Sequence, residues 1–186
     1  MRGRWHIMGS MTEIVIPDPS LVILVGAAGS GKSTFATRHF RPSEILSSDA
    51  MRALISGDEA DQHVTDAAFG RLHRELERRL GDRLLTVVDA TNVERRARRA
   101  LLARAEAAGV PSLALVLDLR PAVVVARNAA RTGRVVDEVV VQRHLSRLRS
   151  WLDSPGGGLR AEGFDQVVVL HDPREVDEIR IRRSPP

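Results

Sequence analysis

Short apolar runs rich in β-branched residues alternate along the chain with longer stretches of helical periodicity. The runs at Leu21 to Val25, Glu44 to Ser47, Leu84 to Val88, Leu113 to Leu117 and Gln166 to Leu170 are strand-sized, and most are apolar throughout. Continuous apolarity, in place of alternation, marks parallel strands covered on both faces. Between them the pattern predicts helices at Gly31 to His39, Ala50 to Ser56, Thr65 to Leu80, Val93 to Ala108, Ala122 to Arg131 and Glu138 to Trp151. This order predicts an α/β fold, a three-layer sandwich around a parallel five-stranded sheet.

In an open parallel sheet, ligands bind beyond the carboxyl ends of the strands. The segments to read for chemistry are therefore "GAAGSGKST", "SSD" ending at Asp49, "DATN" from Asp89 to Asn92, and "DLRP" from Asp118. Breaks at "SGDEAD", "AAGVP" and "DSPGGG" are ordinary turn chemistry, and no internal repeat is present. The arginine-rich run "ERRARRALLARAEAA" reads most simply as a solvated helix face, the alternative being a dedicated nucleic-acid stripe.

Composition narrows the class. At 186 residues the chain has room for one well-cored domain. With no cysteine, it has no disulfide framework, thiolate nucleophile or cysteine metal site. The formal charge of +4 permits polyanionic partners without requiring them. Apolar runs such as "LVILV" fall far short of the roughly 20 residues of a membrane span. The start "MRGRWHIMGSM" lacks the apolar centre of a signal peptide, and "MGSM" resembles an added leader before a natural start at Met11. Residues 1–10 are set aside on that ground, residues 11–183 are expected to form one domain, and the cytoplasm is the expected location.

Gly26 to Ser33 reads G-A-A-G-S-G-K-S and fits G-x-x-x-x-G-K-[ST] between an expected strand and an expected helix. Glycines such as Gly26, Gly29 and Gly31 let backbone wrap a phosphate closely. Successive N–H groups through Ser30 to Thr34 point at it from the helix N-terminus. The Ser33 hydroxyl can ligate Mg²⁺. Lysine and arginine total 28, Lys32 is the only lysine, and the other 27 cations are arginine. A compact ammonium on a flexible stem bridges β- and γ-phosphate oxygens where a rigid guanidinium does not. The alternative, a chance Gly/Ser-rich turn, does not account for both flanking elements. An Asn-Lys-x-Asp guanine motif and the kinase His-Arg-Asp motif are both missing.

The P-loop predicts that ATP or another nucleoside triphosphate binds; the acceptor has to be read elsewhere. Asp49, at a strand end, can accept a proton from an attacking hydroxyl, and Arg52 three residues on can grip an anionic acceptor. Asp49 reads equally as a plain helix N-cap. In "VARNAARTGRVVDE", Arg127 and Arg131 fall four apart on one helix face with Arg134 beyond. They suit a lid, about residues 127–137, over a triphosphate, or a solvated basic helix end. Asp89 ends a strand as a Walker B acid would, acting on Mg²⁺. Thr91 and Asn92 face the same cleft or cap the next helix. The histidines show no metal-ligand spacing and read as surface or structural.

Taken together, "GSGKST", "SSDAMR", "DEADQHVT", "TVVDATN" and "RNAARTGR" resemble the 5'-OH polynucleotide kinase family, most closely the kinase module of bacterial polynucleotide kinase-phosphatase RNA-repair enzymes. The resemblance covers about residues 20 to 180. It implies an adenylate-kinase-like architecture with a helical lid, and transfer of the γ-phosphate of ATP or another NTP to a 5'-OH end of RNA or DNA. By position it makes Lys32 and Ser33 the phosphate and Mg²⁺ contacts, Asp49 the general base and Arg52 the holder of the adjacent acceptor phosphate. Arg127 and Arg131 become lid cations, and Gln62 and Thr91 match acceptor-side positions. Phosphatase and ligase-like modules follow the kinase in those proteins, and "VDEIRIRRSPP" falls where that linker would begin. Two other readings share the cradle: a small-metabolite or toxin-type kinase, and a nucleotide-dependent binding module without transferase activity.

Overall fold

The structure, a computed structural model, describes residues 5–6, 13–56, 65–132, 134–154 and 158–185. In chain order the elements are β1 (Trp5–His6), β2 (Glu13–Pro17), β3 (Leu21–Val25), α1 (Lys32–His39), β4 (Ile45–Ser47), α2 (Ser48–Ser56), α3 (Thr65–Gly81) and β5 (Thr86–Asp89). They continue with α4 (Arg95–Ala107), β6 (Ser112–Leu117), α5 (Pro121–Ala129), α6 (Glu138–Leu152), β7 (Gln166–Leu170), α7 (Pro173–Glu178) and β8 (Arg180–Ser184).

The main sheet runs β1-β7-β6-β3-β5-β4, every pair parallel. Its five longer strands are those expected from the apolar runs, and the two-residue β1 adds itself beside β7. β3 lies in the middle, and none of its five residues has any exposure. Its alternate side chains divide the core: Leu21, Ile23 and Val25 meet Leu72, Leu76, Leu80 and Leu101 from α3 and α4. Val22 and Leu24 meet Phe35, Val124, Val141 and Leu145 from α1, α5 and α6. Both faces are thus covered, which is the physical reason the strand reads as an unbroken apolar run.

Besides β1, two strands were not visible in the pattern. β2 and β8 form a separate parallel pair, from Glu13 beside Arg180 to Pro17 beside Ser184. Ile14 and Ile16 of β2 are fully buried against the α1–α5 face. The residues "RIRRS", read from sequence as the start of a linker, are strand β8. Arg183 fixes it with two hydrogen bonds of 2.8 Å to the Glu44 carboxylate. Among the described residues no helix is long and apolar enough to cross a membrane.

The parallel order brings the carboxyl ends of β3, β4 and β5 together. Register places Asp89 opposite Ser47, immediately before α2. The loops that leave these three ends build the site.

Candidate functional site

The backbone after β3 is anchored before it turns: the Gly26 N–H donates to the Thr91 carbonyl at 3.0 Å. Gly29 then takes a φ of +85°, and a Cβ there would lie 2.4 Å from the Val124 carbonyl oxygen and 2.9 Å from the Asn128 Cβ. Only glycine lets the loop pass this close to α5. Gly31, also left-handed, caps α1, which starts at Lys32. The first turn of α1 contains no acidic side chain, so its N–H groups and dipole are left facing an anion.

Lys32 is buried, and its Nζ donates to the Ala27 carbonyl at 2.8 Å and to Ser30 Oγ at 3.4 Å. Burial pulls its pKa from 10.5 down to about 8, Asp89 pulling the other way and Arg131 adding to the fall. The ammonium is coiled onto its own loop, and phosphate oxygens would be better partners than one carbonyl and one hydroxyl.

A cleft of about 540 Å³ opens over this loop. Gly29, Gly31, Lys32, Ser33 and Thr34 form its floor. Asp49, Arg52, Asp89 and Thr91 line it, and Arg127 and Arg131 face it from the α5 side. Two residues expected at the phosphate lie behind it: Gly26 is outside the lining, and Ser30 is fully buried. Gln62 lies outside the described residues.

Asp49 is not the cap of α2. Ser47 Oγ accepts hydrogen bonds from the N–H groups of Asp49 at 3.2 Å and Ala50 at 3.4 Å, so Ser47 caps α2. The Asp49 carboxylate is left to the cleft. It pairs with Arg52 one turn on, and Arg134 Nη1 lies 3.9 Å from the same oxygen. Arg52 itself is 5% exposed, a buried guanidinium held at the cleft wall.

Asp89 ends β5 and is 7% exposed. Thr91 faces the cleft; Asn92 does not, nor does it cap α4. Asn92 sits at φ +48° and donates through Nδ2 to the Leu24 carbonyl at 2.8 Å, tying the "DATN" turn to the strand before the P-loop. Arg98 holds the same turn from behind, its Nη1 donating to the Asn92 carbonyl at 2.8 Å. The Arg98 guanidinium also forms a fork on Glu162, at 2.8 and 2.5 Å, and neither side chain has any exposure. This corrects the reading of the arginine run as wholly solvated. The signal was present: α4 buries Arg98, Leu101 and Ala105 at helical spacing, which puts this one arginine on the apolar stripe.

The segment expected to form a lid also differs from the expectation in detail. α5 ends at Ala129, so Arg131 lies past the helix and not on a common face with Arg127. Asn128 was missed as a site-building residue. Its Nδ2 donates to the Val136 carbonyl at 2.7 Å and its Oδ1 accepts from the Val136 N–H at 3.2 Å. His144 of α6, among the histidines expected to be surface or structural, lines the cleft. Burial, then the charges of Lys32, Arg143 and Arg134, lower its pKa, so the ring is neutral at neutral pH.

Ser33 and Asp89 both line the cleft, and theirs are the side-chain oxygens that could hold Mg²⁺ there. Among the described residues no cluster of three or more His, Asp or Glu forms. A pair of oxygen ligands fits Mg²⁺, which takes one or two protein ligands and completes its shell with water and phosphate.

Chains of known structure share this fold. A chain of the Pnkp1/Rnl/Hen1 RNA repair complex superposes with a TM-score of 0.62 at 24% identity, over 72% of this chain and 45% of that one. A second structure of the Pnkp1/Rnl/Hen1 complex matches at 26% identity with a TM-score of 0.52, over 63% and 41%. The present chain therefore spans less than half the length of these relatives. A gluconokinase from Sinorhizobium meliloti 1021 matches at 21% identity with a TM-score of 0.51, over 88% of this chain and 89% of its own. No curated protein matches the sequence significantly. The fold is that of P-loop kinases, and the model of the AAA domain family AAA_33 matches residues 21–155, most of the chain and the whole phosphate cradle, so the chain belongs to that family.

Proposed function

We propose that the chain is a polynucleotide 5'-hydroxyl kinase that moves the γ-phosphate of ATP or another NTP to a 5'-OH end of RNA or DNA in nucleic-acid repair. The observation that carries this reading is the placement of Asp49. Its carboxylate, freed from capping by Ser47, faces the cleft beside a buried guanidinium, Arg52.

In this reading the P-loop N–H groups and Lys32 hold the β- and γ-phosphates. Asp49 takes the proton of the 5'-hydroxyl as its oxygen bonds to the γ-phosphorus, and the bond from that phosphorus to the β–γ bridging oxygen breaks in line. Arg52 holds the phosphate next to the 5'-OH nucleoside through a charge-assisted fork. Arg127 and Arg131 offset the charge that spreads over the transferred group. Mg²⁺, held by Ser33 and Asp89, would supply further neutralisation of that charge. Thr91 and Gln62 belong to the acceptor side. Phosphatase and ligase-like modules acting on the same ends are proposed partners, in line with the RNA repair complex among the relatives. The proposed location is the cytoplasm.

A second reading, a small-metabolite kinase, is favoured by one observation. The gluconokinase matches over nearly the full length of both chains. The test is transfer of labelled γ-phosphate from ATP with Mg²⁺ to a short 5'-OH oligonucleotide, beside its 5'-phosphorylated form and a panel of sugars and small alcohols. Label on the 5'-OH strand alone supports the proposal. Label on a sugar, or hydrolysis without an acceptor, overturns it.

A further inference from the structure

The buried stripe of α3 is Ala68, Leu72, Leu76 and Leu80, one residue in every four. Phe69 is one position off that stripe and half-buried, and it lines the cleft. α2 packs on α3, so the ring belongs to the same side of the cleft as Ser48, Asp49 and Arg52. The other three phenylalanines, Phe35, Phe40 and Phe164, are 1%, 5% and 5% exposed. Of the four phenylalanines, this one alone is left partly outside the core, and it lines the cleft that Asp49 and Arg52 also line.

Leaving part of an aromatic face in water forgoes burial that a residue one position away would gain. The ring neighbour of Phe69 is His73, with centroids 6.4 Å apart and planes tilted by 51°. Burial and the nearby Arg104 charge lower the His73 pKa, which leaves that ring uncharged at neutral pH. Phe69 thus has an uncharged aromatic neighbour and an opening into the cleft.

We infer that Phe69 is the platform on which the terminal nucleobase of a nucleic-acid acceptor stacks, while Arg52 holds the adjoining phosphate and Asp49 faces the 5'-hydroxyl. The inference rests on the polynucleotide-kinase reading and narrows it, because the acceptor must then carry a base at its reacting end. Every base has a π-face, so stacking of this kind tolerates all four sequences. A sugar acid offers no such face.

The experiment measures KM for two 5'-OH oligonucleotides, one complete and one abasic at its 5' residue, with the wild type, Phe69→Leu and Phe69→Trp. The wild type should show a KM for the complete strand lower by about fivefold or more, the effect of one base–aromatic stack. Phe69→Leu, similar in bulk but without a π-face, should lose that difference by raising KM for the complete strand alone. Phe69→Trp should keep it. Equal KM values for the two strands with the wild type overturn the inference, and this arm stands even where a variant fails to fold. Equal increases on both strands with Phe69→Leu overturn it too, because they mark a packing role. If the wild type labels no oligonucleotide at all, the polynucleotide reading itself is what fails.

Discussion

The side chain of Asn128 holds both polar groups of Val136, donating to its carbonyl at 2.7 Å and accepting from its N–H at 3.2 Å. This amide bridges the segment that carries Arg131 and Arg134. Asn128 also lies against Gly29, where an added Cβ would come within 2.9 Å of its own. The arginine segment is therefore clipped to the phosphate loop through one residue.

Asn128→Ala should leave the Val136 peptide without these partners, at a cost of about 1–3 kcal/mol in folding stability. It should also lower the rate of transfer more than it weakens acceptor binding, because the arginines lose their support. Chemical denaturation with a kcat and KM comparison checks both. A stability loss with unchanged kcat would limit Asn128 to a structural role.

Asp49→Ala should abolish transfer, a fall of about 10²-fold or more for loss of a positioned base, and leave nucleotide binding largely intact. The measurement is phosphoryl transfer beside nucleotide titration. Retained transfer would remove the base assignment, and lost nucleotide binding would place Asp49 on the donor side.

Lys32 gives a pH dependence with two signs. Its pKa in the folded chain is about 8 against 10.5 ordinarily, chiefly from burial. Above pH 8 the empty site loses the ammonium, so triphosphate affinity should weaken through pH 8 to 9.5, and calorimetric titration across that range reads it. Folding stability moves the other way in this window. From about pH 8 to 10.5 the unfolded chain holds the proton that the folded chain has released, so this group's contribution rises with pH. Lys32→Met should remove both effects, and a flat affinity profile in the wild type would contradict the assignment.

Arg98→Met should destabilise the fold by about 3–5 kcal/mol, because Glu162 is left as a buried charge without its fork. Replacing both, Arg98→Met with Glu162→Leu, should recover most of that loss. Urea denaturation of the single and double variants decides the matter. An equal loss in both would assign the cost to the Arg98 bond on the Asn92 carbonyl instead of to the ion pair.

The parts legible in the sequence are those set by local pattern. The five longer sheet strands announce themselves because burial on both faces demands uninterrupted apolar residues. The phosphate loop does so because its glycines, Lys32 and Ser33 are tied to neighbours a few residues away. What stayed hidden depends on distant partners. "RIRRS" becomes β8 only because β2 lies beside it and Glu44 receives Arg183. Arg98 is a core residue only because Glu162, 64 positions away, supplies the counter-charge. Whether Asp49 caps α2 turned on Ser47, whose hydroxyl takes the N–H groups of Asp49 and Ala50 and leaves the carboxylate on the cleft wall. Nothing in the string of letters says which neighbour wins.

The pairing of β2 with β8 has a consequence for how the chain is made. Glu13 and Arg180 are neighbours in space yet almost the whole chain apart, and closing so long a loop is entropically slow. During synthesis the phosphate loop and α2 emerge long before residues 180–184 exist. Until then Ile14 and Ile16 lack the strand beside them, and Glu44, just before β4, lacks Arg183. Strand β8, made long after the phosphate loop, thus completes the support behind β4 and α2, so a nascent chain carries its nucleotide-binding loop before that wall of the cleft is finished.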